Sequence, residues 1–432
     1  MKIALCGIGT VGGGVVKVLA ENQAQFQAKY KENLVISHVL TRDPDKVDRL
    51  GLESAVFTDR VEDIYEADID LVVEVMGGVD FAYQVIRQSL SQGRHVVTAN
   101  KDLLALHIDE LQALANEKGV SLLYEASVAG GIPIINGVQV GLAANQISGV
   151  MGILNGTTNY MLSHMTQDGW TYDHALSVAQ EKGYAEADPT FDIEGHDAGH
   201  KITIMSALAF GTPVNFQACY LEGISKLDSR DIKYAEELGY RIKLLGITRK
   251  TDKGIELRVH PTLLPESRLL ANVNGVMNAV RVNADMVGET LYYGAGAGAL
   301  PTASAVVADI IDIARLIDAD TGHRVPHLAF QPSQVQAQTI LPMDEIVSSY
   351  YLRVQAQDKP GVLGRIANLL ADQNVSIEAL IQKGVVNGDT AEIVILTHST
   401  VEKHVKAAIA GIEGMDTVNG KVTMIRMESL ND

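Results

Sequence analysis

Cysteine is nearly missing: Cys6 and Cys219 are the two in 432 residues. That excludes a disulfide framework and a cysteine-rich metal site. A basic excess is missing as well. The chain has 35 Lys and Arg against 53 Asp and Glu, a formal net charge of −18, so neither nucleic acid nor an anionic membrane is expected as its main partner. An anionic small substrate stays possible, because a local basic pocket can sit in an acidic field. No apolar run reaches the roughly 18 residues of a membrane-crossing helix. Glycines interrupt the N-terminal MKIALCGIGT where a signal peptide stays apolar. A soluble, cytoplasmic protein is the expectation.

What is present suffices for several cores. At roughly 100–200 residues per domain the length implies about two to four domains. The run 2–6 is apolar and stops at glycines, and a helical stretch follows. Runs 34–41, 71–76, 95–98 and 120–124 are further strand candidates, separated by helical stretches such as 81–92 and 109–118. Strands alternating with helices predict an α/β, Rossmann-type doubly wound parallel sheet. It is expected over 1–131, with a returning helix at about 303–322.

The rhythm then changes, and 132–302 reads as an α+β catalytic and dimerisation domain. Three prolines (Pro326, Pro332, Pro342) and polar residues mark a linker at 323–348. Over 349–432 the order strand, helix, strand, strand, helix, strand predicts a compact ferredoxin-like βαββαβ unit.

Gly7-Ile8-Gly9-Thr10-Val11-Gly12 fits G-x-G-x-x-G at the mouth of a helix. The first glycine permits the tight turn, the second lets a pyrophosphate approach the backbone, and the third lets helix and strand pack closely. A dinucleotide is the expected ligand. Thr41-Arg42-Asp43 follows the second strand, where an acidic residue serves the ribose of NAD and an arginine accepts the 2′-phosphate of NADP. Arg42 favours NADP on charge, and Asp43 leaves NAD open.

Lys101 closes a strand of the parallel sheet and should face the ligand cleft, although a lysine after a strand is often merely solvated. The segment 183–205 concentrates Glu186, Asp188, Asp192, Glu194 and Asp197 before an apolar helix, with Lys201 four residues beyond Asp197. Carboxylates suit the ammonium group of an amino acid, and a lysine can serve a carbonyl or hydroxyl as acid or base. The plain alternative is an acidic bias at a helix start with an exposed ion pair. His196 and His200 have a spacing seen in zinc sites, but Asp197 stands where HExxH needs Glu, and no third ligand is evident.

The Gly7–Gly12 fingerprint, TANK ending at Lys101, EASVAGGIPII from Glu125 and NGTTNY from Asn155 occur in this order. GYAEADP from Gly183, GHDAGHK ending at Lys201 and GAGAGALPTASAV from Gly294 follow. Together they resemble homoserine dehydrogenase over essentially the whole chain. Asp358–Leu363 (DKPGVL) and Asn374–Ile377 (NVSI) resemble an ACT domain, an amino-acid-sensing module. No aspartate kinase portion precedes them, which suits the monofunctional form.

The resemblance implies NAD(P)-dependent interconversion of L-homoserine and L-aspartate 4-semialdehyde in threonine, methionine and isoleucine biosynthesis. It implies that Lys201 is the proton donor and that Lys101 sits beside cofactor and substrate. It also implies that Glu186 and Asp197 bind homoserine, with Asp192, Tyr184 and Thr157 nearby, and that Gly183 and Gly298 approach the cofactor. Glu125, Val128, Gly130 and Ile132 match a loop that holds a monovalent cation, sodium by resemblance, largely through backbone carbonyls. L-threonine is the implied effector, bound between paired ACT units near Gly361, Val362, Leu363, Asn374 and Ser376, in a homodimer or homotetramer. The ACT unit could instead serve only dimerisation.

Two lysines close together should lower each other's pKa. A rival, an aldehyde dehydrogenase of the aspartate-semialdehyde type, needs a nucleophilic cysteine. A second rival is a non-catalytic regulator that binds nucleotide and amino acid.

Overall fold

The computed structural model describes every residue except 30–32, 319–324, 327, 388 and 431–432. A parallel sheet forms the N-terminal region, in the order Val56–Thr58, Val35–Leu40, Lys2–Cys6, Leu71–Glu74, His95–Thr98, Leu122–Leu123. This is the doubly wound order in which the direction of winding reverses beside the first strand, and ligands bind at that switch point. Leu71–Glu74 is buried at every position, as a strand covered on both faces must be.

The helix Ala299–Asp318 returns to this region and lies against Thr10–Glu21. A Cβ on Gly14 would stand 2.5 Å from the Ala299 carbonyl oxygen, so the two backbones touch. The returning helix begins four residues before the expected 303; its expected end at 322 lies outside the described residues.

A mixed sheet runs through the rest of the chain in the order Gly288–Ala295, Met277–Ala284, Ile147–Ile153, Tyr240–Thr251, Gly254–Pro265, Thr423–Met427, Val347–Gln357, Thr390–Thr397, Ile377–Asn387. The last four strands, with helices Val362–Asp372 and Glu402–Glu413, are the βαββαβ unit. It does not stand apart. Thr262 and Leu263 pair in parallel with Arg426 and Met427, so two sheets expected as separate are one.

Segment 336–341 is not a loose connection either. Gln338 Nε2 donates to the Phe210 carbonyl at 2.9 Å, and Ile255 N–H donates to the Thr339 carbonyl at 2.8 Å. No helix among the described residues is long and apolar enough to cross a membrane.

Candidate functional site

The glycine fingerprint meets its three steric demands. Gly7 has φ +98°, and a Cβ on it would come within 2.8 Å of the Val75 carbonyl oxygen. A Cβ on Gly12 would come within 2.1 Å of the Gly7 carbonyl oxygen, which is the close helix–strand approach. A Cβ on Gly9 would meet nothing within 4 Å. That open face sits at the start of Thr10–Glu21, whose N-cap has no side-chain partner, so the N–H groups of Thr10, Val11 and Gly12 remain for an anion. The residues fit a dinucleotide pyrophosphate. Arg42 is exposed beyond the second strand, while Asp43 faces Lys46 at 3.5 Å and Arg49 at 3.9 Å.

A cavity of about 480 Å³ lies between the parallel sheet and the mixed sheet. Lys101 enters it at the first turn of Lys101–Lys118, a helix started by Asn100, whose side chain accepts from Leu103 N–H. Lys201 enters from the buried helix His196–Phe210. The two ammonium groups meet across one carboxylate: Lys201 Nζ is 2.7 Å from Asp197 Oδ2, and Lys101 Nζ is 3.3 Å from Asp197 Oδ1.

Burial alone would raise the Asp197 carboxyl, but the Lys201 and Lys101 charges outweigh it and hold it down to about 2. Lys101 is likewise penalised by burial, yet Asp197 and Asp102 hold it above the usual lysine value. This corrects the expectation for Lys101: the carboxylate between the lysines reverses the shift their mutual repulsion would give.

Asp192 also lines the cavity, with its carboxyl raised by burial and then by the Asp197 charge. Thr157 donates to the Tyr184 carbonyl at 2.7 Å, and both residues line the cavity with Gly183 (φ +71°) and Gly298 (φ +126°). Glu186 does not join them. It is exposed on the loop beyond Tyr184 and outside the cavity wall.

Three family models match the chain: "Homoserine dehydrogenase" at residues 133–311, "Homoserine dehydrogenase, NAD binding domain" at 7–125 and "ACT domain" at 350–414. Homoserine dehydrogenase of Neisseria gonorrhoeae is 66% identical over 432 residues, covering 100% of this chain and 99% of that protein. The chain belongs to the homoserine dehydrogenase family. A homoserine dehydrogenase crystal structure from Thiobacillus denitrificans superposes with TM-score 0.94 at 52% identity, covering 100% of this chain and 99% of that one. A hyperthermophilic archaeal homoserine dehydrogenase in complex with NADPH has TM-score 0.62 at 28% identity, covering 72% of this chain and 97% of its own.

As a homoserine dehydrogenase, the chain is an oxidoreductase acting on a CH–OH group and carries an NAD(P)-binding domain. Neither cysteine lines the cavity, where a thioester-forming nucleophile would have to stand. Both are buried, and burial raises the Cys6 thiol and pushes the Cys219 thiol up to about 12, whereas a nucleophile needs a lowered value.

Several contributors escaped the sequence reading. Asn155 caps helix Gly156–Gln167 with its Oδ1, 2.8 Å from Thr158 N–H. Its Nδ2 donates to Asp192 at 2.8 Å and to Asp197 at 2.9 Å. The cap position before a helix was the available signal. The Leu154 carbonyl accepts from Lys201 at 2.7 Å, and no side-chain pattern marks a backbone group. His200 bonds Asp102 at 2.8 Å and packs on Phe216, while His196 stacks on Phe191. Phe191 also lies against His200, so the two histidines share an aromatic neighbour while only His200 reaches Asp102.

In the loop expected to hold a cation, Ala129 (φ 55°) and Gly130 (φ 47°) are both left-handed. The Glu125 carboxylate is taken by Ile135 N–H at 2.9 Å, Asn136 N–H at 2.8 Å and Asn136 Nδ2 at 2.7 Å. Carbonyls are the groups left to face an ion. That of Ile132 already accepts from Ile134 N–H at 2.8 Å but keeps a second lone pair. In the ACT unit Gly361 (φ +85°) precedes helix Val362–Asp372, Val362 is buried, and Asn374 (φ 58°) and Ser376 follow the helix.

Proposed function

We propose that this chain interconverts L-aspartate 4-semialdehyde and L-homoserine, with NADP(H) preferred, in the cytoplasm. The observation that carries the reading is the convergence of Lys101 and Lys201 on Asp197 inside one cavity. The cofactor, when bound, supplies or accepts the hydride at the carbonyl carbon. Negative charge grows on the substrate oxygen during reduction, and the Lys201 ammonium stabilises and protonates it. Lys101 adds a second positive charge, and Asp197 keeps both amines close without neutralising the pair. Asp192 takes the substrate ammonium, with Thr157 and Tyr184 beside it, and Asn155 fixes the two aspartates relative to each other.

Arg42 supports NADP over NAD, because Asp43 is drawn to its own lysine and arginine neighbours; NADPH is also what the archaeal relative holds. A sodium-sized cation would rest on the carbonyls of Val128, Gly130, Ile132 and Glu125, bracing the cavity wall. For the ACT unit, L-threonine is the proposed effector. Gly361–Leu363 and Asn374–Ser376 flank opposite ends of an 11-residue helix, about 16 Å apart at 1.5 Å per residue. One small amino acid cannot bridge both within a chain, which supports a site between paired copies and hence a homo-oligomer.

The test is nicotinamide absorbance with homoserine and NADP⁺, repeated with threonine added. No absorbance change would favour a non-catalytic regulator. Indifference to threonine across the millimolar range would leave the ACT unit a dimerisation device.

A further inference from the structure

The last strand of the ACT unit carries Arg426, which is 1% exposed. Its guanidinium reaches in two directions. Within the unit, Nε and Nη2 each donate to Glu402 at 2.7 Å; outside it, Nη1 donates to Glu222 Oε2 at 2.7 Å. Tyr220 closes the junction. Its hydroxyl donates to the same Glu222 oxygen at 2.7 Å and accepts from Arg426 Nη2 at 3.2 Å.

Glu222 adjoins a backbone contact with the substrate loop. A Cβ on Gly223 would stand 2.2 Å from the Ile193 carbonyl oxygen and 2.5 Å from Glu194 Cα, so the two segments meet backbone to backbone. Ile224 N–H donates to that same Ile193 carbonyl at 2.8 Å. The residue before Ile193 is Asp192, on the cavity wall. One ion pair, one glycine contact and one backbone hydrogen bond thus separate the ACT unit from a carboxylate of the site.

We propose that Arg426 and Glu222 are positioning residues for the substrate site: Arg426 clamps Glu222, which fixes the Gly223–Ile193 contact and with it the Asp192 carboxylate. The inference rests on the assignment of Asp192 to the substrate ammonium. Its effect falls on homoserine and spares the cofactor, whose glycine loop belongs to the other sheet.

The experiment measures KM for homoserine and for the cofactor, kcat and Tm on the full chain, with Glu222→Ala, Glu222→Gln and Asp192→Asn. Glu222→Ala is expected to raise KM for homoserine about fivefold or more, the lower end of coupling between sites, with cofactor KM and Tm near wild type. Glu222→Gln, which keeps an acceptor for Arg426, recovers most of the loss. An unchanged homoserine KM in Glu222→Ala, while Asp192→Asn raises it, overturns the clamp. So does a rise of both KM values together with a fall in Tm, the mark of a merely structural contact. An unchanged KM in Asp192→Asn overturns the substrate assignment itself, and the clamp with it.

Discussion

Lys201 Nζ stands 2.7 Å from Asp197 Oδ2, one turn further along the same helix. On a protein surface such a pair contributes little. Here the side chains are 11% and 8% exposed, and Lys101 approaches the other carboxylate oxygen. Two ammonium groups thus stand on the two oxygens of one largely buried carboxylate, where both can face a bound substrate. An oxygen gaining negative charge there is stabilised far more than it would be in bulk water.

Replacing Lys201 with Met removes the proposed acid and one of the two ammonium charges. Turnover is expected to fall by at least ~10²-fold, the usual contribution of a positioned acid. Cofactor affinity, read by nicotinamide fluorescence, should stay near wild type, because the glycine loop is on a different sheet. Turnover close to wild type would remove the assignment.

Asp197 gives a pH signature. Its carboxyl is held at about 2 in the fold against an ordinary 3.8. A depressed folded value contributes stability above the unfolded pKa and loses it as pH falls through the folded one. The contribution is on the order of 2 kcal/mol, present above about pH 4 and gone near pH 2. Asp197→Asn should flatten this acid limb in urea unfolding. A wild-type and a variant curve that stay parallel from pH 5 to pH 2 would contradict the shift.

The legible parts of the fold were those where one residue type has one physical use. Gly7, Gly9 and Gly12 marked a turn, an open face and a close packing before any coordinates, and alternating strands and helices gave the parallel sheet. Helix Gly156–Gln167 was not legible. It buries Thr157, Thr158, Asn159 and Ser163 together with Tyr160, Met161, Leu162 and Met165, so polar residues interrupt its apolar period. The helix at Lys101 begins eight residues before the expected 109, because KDLLALHI is apolar on several faces and the cap at Asn100 defines its start. The joining of Thr262 to Arg426 depends on backbone pairing between distant segments, which leaves no local trace. The acidic crowd at 186–197 showed that carboxylates matter there. Only the fold shows that Asp192 and Asp197 face inward and Glu186 does not.

Gly9 and Gly12 should respond oppositely to the same methyl group. At Gly12 it would collide with a backbone oxygen 2.1 Å away, which cannot move cheaply, so Gly12→Ala should lose about 1–3 kcal/mol of stability. At Gly9, φ is −70° and the methyl would meet nothing within 4 Å, so Gly9→Ala should melt like wild type. Its methyl instead occupies the face a pyrophosphate approaches, and cofactor affinity should drop about tenfold, a loss of ~1.4 kcal/mol. Thermal melting and NADPH titration of the pair separate the two roles. Wild-type affinity in Gly9→Ala would mean the phosphates bind elsewhere.

Arg42 sets the choice between the two nicotinamide cofactors if its guanidinium meets the 2′-phosphate. It stands exposed where the second strand ends, and the Asp43 carboxylate is turned to Lys46 and Arg49, so the local charge offered to a ribose is positive. A charge-assisted hydrogen bond is worth about 1.5–3 kcal/mol. Arg42→Ala should therefore raise KM for NADPH about tenfold to a hundredfold and leave KM for NADH within about twofold, since NADH has no phosphate to lose. Kinetics with both cofactors at fixed aldehyde decide the point. A parallel rise for NADPH and NADH would assign Arg42 to the shared adenosine half of the molecule, and an unchanged NADPH value would return the preference to another residue.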